Sequence, residues 1–250
     1  MWRLKLLACF FFLLSSISAL CQDINIGEPE TLWVRKRQWD IYANIHTNGV
    51  GLGFRYDYIK SIKLQHGIDV EYTFYRHFKE QRVALSEGST IVYGKKNYFG
   101  LLRAGYGCTR ILNTKHYSGG VEVGYFFYGG VSLGFSVPVY LNVYTYTPEG
   151  ELTSEVQQYD ENKHSINMIK SSAPIYKGMK NMKVHPGLYA KTGLSFDFSS
   201  NDAMVIKLDI GVAVDAYIIP VEKMAFANKQ YMLLTGYLAV HLGKRLTNYE

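Results

Sequence analysis

The residues able to do chemistry fall into three groups. His46-Thr47-Asn48 sets an imidazole beside a hydroxyl and an amide, the types that supply base, nucleophile and orienting group in acyl transfer. Asp160, Glu161, His164 and His185 place carboxylates and imidazoles in one region, as acid–base hydrolysis requires. The third group is spread along the chain: Arg55, Asp57, Asp69, Glu71, Arg103, Glu122, Lys191, Asp197, Lys207, Asp209 and Asp215. These charges of both signs sit in apolar runs, one position out of step with the apolar residues. In that setting they either line a wet passage or pair with one another, because an unpaired buried charge is costly. The histidines and cysteines lack metal-ligand spacing, and no cofactor is expected.

The elements that position these residues are read from a period of two. Val50, Leu52, Phe54, Tyr56 and Tyr58 share one face against Gly51, Gly53, Arg55 and Asp57. Ile68, Val70, Tyr72 and Phe74 oppose Asp69, Glu71 and Thr73, and the pattern returns over 98–106, 121–128 and 131–144. Leu188 to Phe198 alternates with Tyr189, Lys191, Gly193, Ser195 and Asp197. Ile206, Leu208, Ile210, Val212 and Val214 oppose Lys207, Asp209, Gly211 and Asp215. A last strand spans about 231–243, with Leu234, Leu238, Val240 and Leu242 on one face.

Alternation alone does not say which face meets water. A β-sandwich alternates too, and a lipocalin-like barrel is apolar inside. Several features favour lipid outside. The N-terminus has basic Arg3 and Lys5, an apolar run from Leu6 to Leu14, and small residues before Cys21, the layout of a secretory signal peptide. Cleavage is expected near Cys21–Gln22, which removes two of the three cysteines and leaves Cys108 without an intramolecular partner. Beyond it no stretch reaches the roughly 18 apolar residues of a membrane helix, so a spanning chain must close a barrel. The chain holds 21 Tyr, 13 Phe, 23 Gly and only 6 Pro, which suits aromatic girdles and long ladders. Net charge falls from +6 to +4 when Arg3 and Lys5 leave, and the excess is dispersed, so no nucleic-acid partner is expected.

Connections set the orientation. Gly129-Gly130 reads as a tight turn and Ser199-Ser200-Asn201-Asp202 as a polar one, whereas 145–184 and 218–229 are long and polar. Short periplasmic turns with long external loops are the outer-membrane pattern. Trp39 to Tyr58 is either one strand bulged near Thr47-Asn48-Gly49 or a hairpin turning at Asn48-Gly49. The bulged strand gives eight strands, the expected number, with ten as the alternative. The expectation is all-β: a transmembrane antiparallel up-and-down β-barrel of eight strands after a cleaved signal peptide. Residues 1–21 are assigned to the signal peptide, 22–38 to an N-terminal periplasmic segment, and 39–250 to the barrel with external loop 145–184.

HTNGVGLGFRYD (His46–Asp57), HFKE (His77–Glu80), YGKKN (Tyr93–Asn97), LRAGYG (Leu102–Gly107), GGVEVGYFFYGGVSLGF (Gly119–Phe135), YDENKHSI (Tyr159–Ile166), HPGLYAKTGLSFDF (His185–Phe198) and HLGKR (His241–Arg245) cover much of the mature chain. On these segments the chain resembles a family of uncharacterised Bacteroidota outer-membrane β-barrel proteins, which usually carry proline where Phe78 stands. The resemblance implies a barrel in the outer membrane and carries no activity.

On such a barrel the three groups are read as follows. Lipid A deacylases place His and Ser on one lipid-facing strand with a residue between them; His46-Thr47 has none, and no acid partner is fixed. An omptin-like protease needs acid and histidine pairs at the external rim, and Asp160, Glu161, His164 and His185 supply types without geometry. The eleven alternating charges are expected to pair and plug a narrow interior. Lys163, Lys170, Lys177, Lys180 and Lys183 make the long external loop basic, suited to anionic lipopolysaccharide. The expected role is a structural or interaction protein, or an accessory subunit contacting other outer-membrane proteins. A narrow porin-like pore for small solutes and a lipid-modifying or proteolytic enzyme are the alternatives.

Overall fold

The computed structural model describes residues 37–61, 63–76, 80, 82–85, 89–114, 120–146, 151–161, 163, 165–200, 203–225 and 229–246. The expected signal peptide 1–21, most of segment 22–38 and His164 lie outside the described residues.

Eight long strands form a closed antiparallel barrel. In chain order they are β1 (Arg37–His46), β2 (Gly49–Ser61), β3 (Leu64–Tyr75), β6 (Asn97–Asn113), β7 (Glu122–Pro138), β11 (Lys183–Asp197), β12 (Met204–Val221) and β13 (Gln230–Leu246). Each pairs with the next, and β1 pairs with β13 from Arg37↔Leu246 to His46↔Tyr237, so no edge remains. The first strand begins at Arg37, inside the stretch assigned to the N-terminal segment 22–38, and Gln38 is buried in the barrel.

The two faces settle which side is wet. Ile41 is 54%, Leu52 65% and Leu234 69% exposed, while Asp69, Asp209 and Asp215 are fully buried. A soluble sandwich or lipocalin-like barrel has the reverse arrangement, and an apolar belt around a whole barrel is far larger than water tolerates.

Two connections differ from the sequence reading. Trp39 to Tyr58 crosses twice, because Thr47-Asn48 is a hairpin turn between β1 and β2. Gly129-Gly130 is no turn: it lies in the middle of β7, with Gly130 opposite both Gly105 and Tyr189. The two differences cancel in the strand count. The glycine at 130 is explained by close packing between strands, since a Cβ there would run into the Ala104 carbonyl and the Gly105 backbone of β6. A Cβ on Gly105 would stand 2.6 Å from the Tyr189 hydroxyl, so small residues on neighbouring strands leave room for that inward ring. The same joint recurs at Gly53 under Tyr42, where a Cβ would run into the ring, and at Gly107 under Tyr128, where it would stand 2.6 Å from ring atoms. Glycine on the inner face is therefore the seat of the inward tyrosines.

The strand expected over 131–144 also divides. Pro138 cannot donate to a ladder, and beyond it the chain leaves the barrel as β8 (Tyr140–Tyr146). With β9 (Leu152–Gln158) and β10 (Ile169–Ser172), β8 forms a three-stranded sheet ordered β10-β8-β9. A hairpin of β4 (Arg82–Ala84) and β5 (Thr90–Val92) stands beside it, and a short helix, α1 (Tyr176–Met179), precedes β11. The long connection is thus largely folded. Segments 76–96, 139–182 and 222–229 all leave one end of the barrel; the opposite end carries 62–63, 114–121 and 198–203. Cys108, expected to stand without a partner, is disulfide-bonded in the full chain.

Candidate functional site

Because side chains alternate, every second residue of eight strands converges on the lumen. Arg55, Asp57, Asp69, Glu71, Arg103, Lys191, Asp197, Lys207, Asp209 and Asp215 are all buried there, and Glu122 is half-buried near the end without long loops. Arg103 links two carboxylates. Its Nη1 donates to Glu71 at 2.6 Å, and its Nε and Nη2 fork onto Asp215 at 3.0 and 2.6 Å. Glu71 also accepts from Lys191 at 3.1 Å and from Thr73 at 2.9 Å. Lys191 reaches Asp69 at 2.5 Å, and Arg55 joins Asp69 at 3.2 Å to Asp209 at 2.8 Å. The Arg55 guanidinium lies 4.6 Å from the Tyr128 ring centroid and 5.4 Å from that of Phe126. Asp197 pairs with Arg245, and Asp57 accepts from Gln38 at 2.8 Å and from Tyr128 at 2.9 Å.

Sequence reasoning missed Asp40 and His241 and read His46 only beside Thr47, although all three stand on inner positions of alternating strands. His241 Nδ1 is 2.6 Å from Asp40 and its Nε2 is 3.0 Å from Asp209. The second contact is an ion-pair distance without hydrogen-bond alignment, since Nε2 has no hydrogen-bonding partner. One carboxylate therefore faces each ring nitrogen. His46 Nε2 lies 3.0 Å from Glu71. These groups fill the lumen with paired charge and ring.

Among the described residues, neither hydrolytic group is brought together. His46 points inward to Glu71, while Thr47 is exposed on the hairpin and bonds to Gly236 through its hydroxyl. Asp160 pairs with Lys163 at 3.8 Å and Glu161 with Lys96 at 3.6 Å, whereas His185 is buried on β11 with Nδ1 3.3 Å from the Ile219 carbonyl. The acids and the imidazole serve separate contacts.

Above the lumen stands a cap that the sequence did not announce. Ile91, Val139, Leu141, Val143, Tyr159 and Ile169 form its core, with Leu85, Tyr93, Tyr98 and Ala225 packed against it. Burial there pushes the Tyr159 hydroxyl up to about 12. Three separate excursions build this core and are stitched together: Ala225 donates to Gly94 at 2.8 Å, Ser89 to Lys170 at 2.8 Å, and Asn97 to Glu222 at 2.7 Å. Lys95 pairs with Glu80 at 2.8 Å, and Lys96 lies 3.6 Å from Glu222. Beneath the cap, Tyr75, Phe99, Leu101, Tyr217, Val221 and Leu233 form an apolar layer across the mouth. Lys223 closes it, with its amine 3.7 Å from the Tyr75 centroid, 5.2 Å from that of Phe99 and 3.1 Å from Gln230 Oε1. Burial pushes this amine down to about 7.

The five loop lysines do not act together. Lys163 pairs with Asp160, and Lys170 is half-buried with its amine 5.7 Å from the Tyr144 centroid. Lys177, Lys180 and Lys183 are exposed around α1.

No protein-family model matches the chain, and no curated protein is similar to it. Among solved structures, the chain is similar at 10% identity and TM-score 0.39 to the attachment invasion locus protein Ail of Yersinia pestis in complex with the heparin analogue sucrose octasulfate, covering 84% of this chain and 97% of that one. It is similar at 13% identity and TM-score 0.37 to Neisserial surface protein A, covering 84% and 96%. A major outer membrane protein from Thermus thermophilus shares 12% identity at TM-score 0.43, covering 85% and 98%.

Proposed function

We propose that the chain is an exported outer-membrane barrel, of the Bacteroidota family it resembles, that does not conduct and is not an enzyme. It serves as a scaffold displaying a folded external cap to lipopolysaccharide or to other outer-membrane proteins. The observation that carries this reading is the inverted barrel: aliphatic side chains face out, while charged pairs such as Arg103–Asp215, with fork contacts at 2.6 and 3.0 Å, fill the inside. Such a surface is stable only in lipid, and a closed barrel satisfies every backbone group there. The end bearing 76–96, 139–182 and 222–229 then faces outward, and 62–63, 114–121 and 198–203 face the periplasm.

The cap supports an interaction role. A bare connection needs only a few residues, whereas this one has three strands of its own and a core shared with two other loops. Affinity purification from gently solubilised outer membranes tests it. Recovery with a protein partner that is lost on exchanging 139–182 for a short turn supports the accessory-subunit reading; recovery only as a lone monomer counts against it.

A further inference from the structure

We propose that the segment 174–184 is a membrane-surface foot, lying in the headgroup layer of the outer leaflet and binding phosphorylated lipid headgroups through Lys177 and Lys180. This rests on the membrane-spanning reading above and adds a site to it.

The placement comes first. On β7, Ser132 and Ser136 point into the lumen, so Val137 belongs to the outward row. Gly178 of α1 packs on this residue: a Cβ there would lie 2.9 Å from Val137 Cγ1 and would run into the Pro138 carbonyl. The helix therefore rests over the outer wall at the loop-bearing rim. Asn181 holds it there by donating to the Tyr140 hydroxyl at 2.7 Å.

The surface it presents comes second. Ile175 is 46%, Tyr176 65%, Met179 58% and Met182 42% exposed, although they belong to a segment packed against the barrel. This apolar face continues into Val184 and Leu188 on β11, part of the same outward row that faces lipid. Lys177 and Lys180 are exposed beside it, Lys183 instead stands opposite Ser136 on the inner row of β11, and 174–184 contains no Asp or Glu. Apolar side chains that dip into acyl chains, a tyrosine at their edge and lysines that reach up to phosphate are the parts of an interfacial anchor. Lys163 and Lys170 differ, the first paired with Asp160 and the second against Tyr144. Continuity with the lipid-facing row selects a bilayer as occupant over a protein.

The full mature chain is inserted into nanodiscs of phosphatidylcholine, with or without phosphatidylglycerol or lipid A. Native mass spectrometry counts the anionic lipid retained, and fluorescence compares Tyr176→Trp with the parent chain. The expected result is a blue-shifted difference spectrum, quenched by lipid brominated near the headgroup. Each lysine contributes about fivefold to retention of anionic lipid, so Lys177→Gln/Lys180→Gln together lower it about 25-fold. Lys163→Gln/Lys170→Gln leaves it unchanged. Unquenched emission from Tyr176→Trp, or equal retention by the double variant, overturns the proposal while the barrel remains inserted. A chain that enters no bilayer, seen as loss of the heat-dependent gel shift of a folded barrel, overturns the membrane reading as well.

Discussion

Arg103→Met tests the interior most sharply. The guanidinium is 1% exposed and holds Glu71 at 2.6 Å and Asp215 at 2.6 and 3.0 Å. Methionine fills a similar volume but leaves two carboxylates short of a cation in a packed lumen. Breaking a buried pair by removing one partner costs about 3–5 kcal/mol. Glu71 keeps Lys191 at 3.1 Å, so most of the loss falls on Asp215, whose remaining hydroxyl donor is Ser132 at 3.0 Å. The double variant Arg103→Met/Asp215→Asn removes that orphaned charge and recovers at least half of the loss. Equilibrium unfolding in urea from lipid vesicles, followed by the gel shift and tryptophan emission, measures both. A loss below about 1 kcal/mol, the range of an exposed ion pair, refutes the sealed-network argument. So does a double variant no more stable than the single one.

Three further predictions follow from other parts of the fold. Gly53→Val pushes a side chain into the Tyr42 ring and costs about 1–3 kcal/mol, and Gly53→Val/Tyr42→Ala shows less than the summed effect in the same unfolding assay. Leu52→Arg, at a position 65% exposed on the outer face, destabilises the inserted barrel by about 2–4 kcal/mol; an effect near zero contradicts lipid contact there. Lys223 is held at about 7 when folded and returns to 10.5 when unfolded, so the unfolded chain binds more protons between those values. Cap stability therefore rises with pH from about 7 to about 10.5 and is flat below 7. Lys223→Met abolishes that slope and strengthens the cap by roughly 3 kcal/mol at pH 6, the burial penalty less what the Tyr75 face returns. Amide hydrogen exchange over 222–225 reads it, and an unchanged slope is the contrary result.

The barrel wall was legible because side chains on a strand alternate without exception. Val50 to Tyr58 and Ile206 to Asp215 therefore announce their two faces directly. The glycines misled. Gly129-Gly130 has turn chemistry, yet Gly130 lies against the backbone of Gly105, itself the seat of Tyr189, a contact between strands that no local pattern encodes. The Asn48-Gly49 signal marked a real hairpin, set aside because counting strands through a false turn at 129–130 left no room for it. Asp40 and His241 follow the alternation but come together only when β1 closes on β13. The cap was the least legible part, since Ile91, Val139 and Ala225 come from three segments whose adjacency is set by the barrel rim.

Planar-bilayer recording tests the central claim most directly. With insertion verified by the gel shift, electrical silence is expected across the full voltage range, because paired charges and the Lys223 layer seal the lumen. Stepwise conductance from the inserted chain contradicts it.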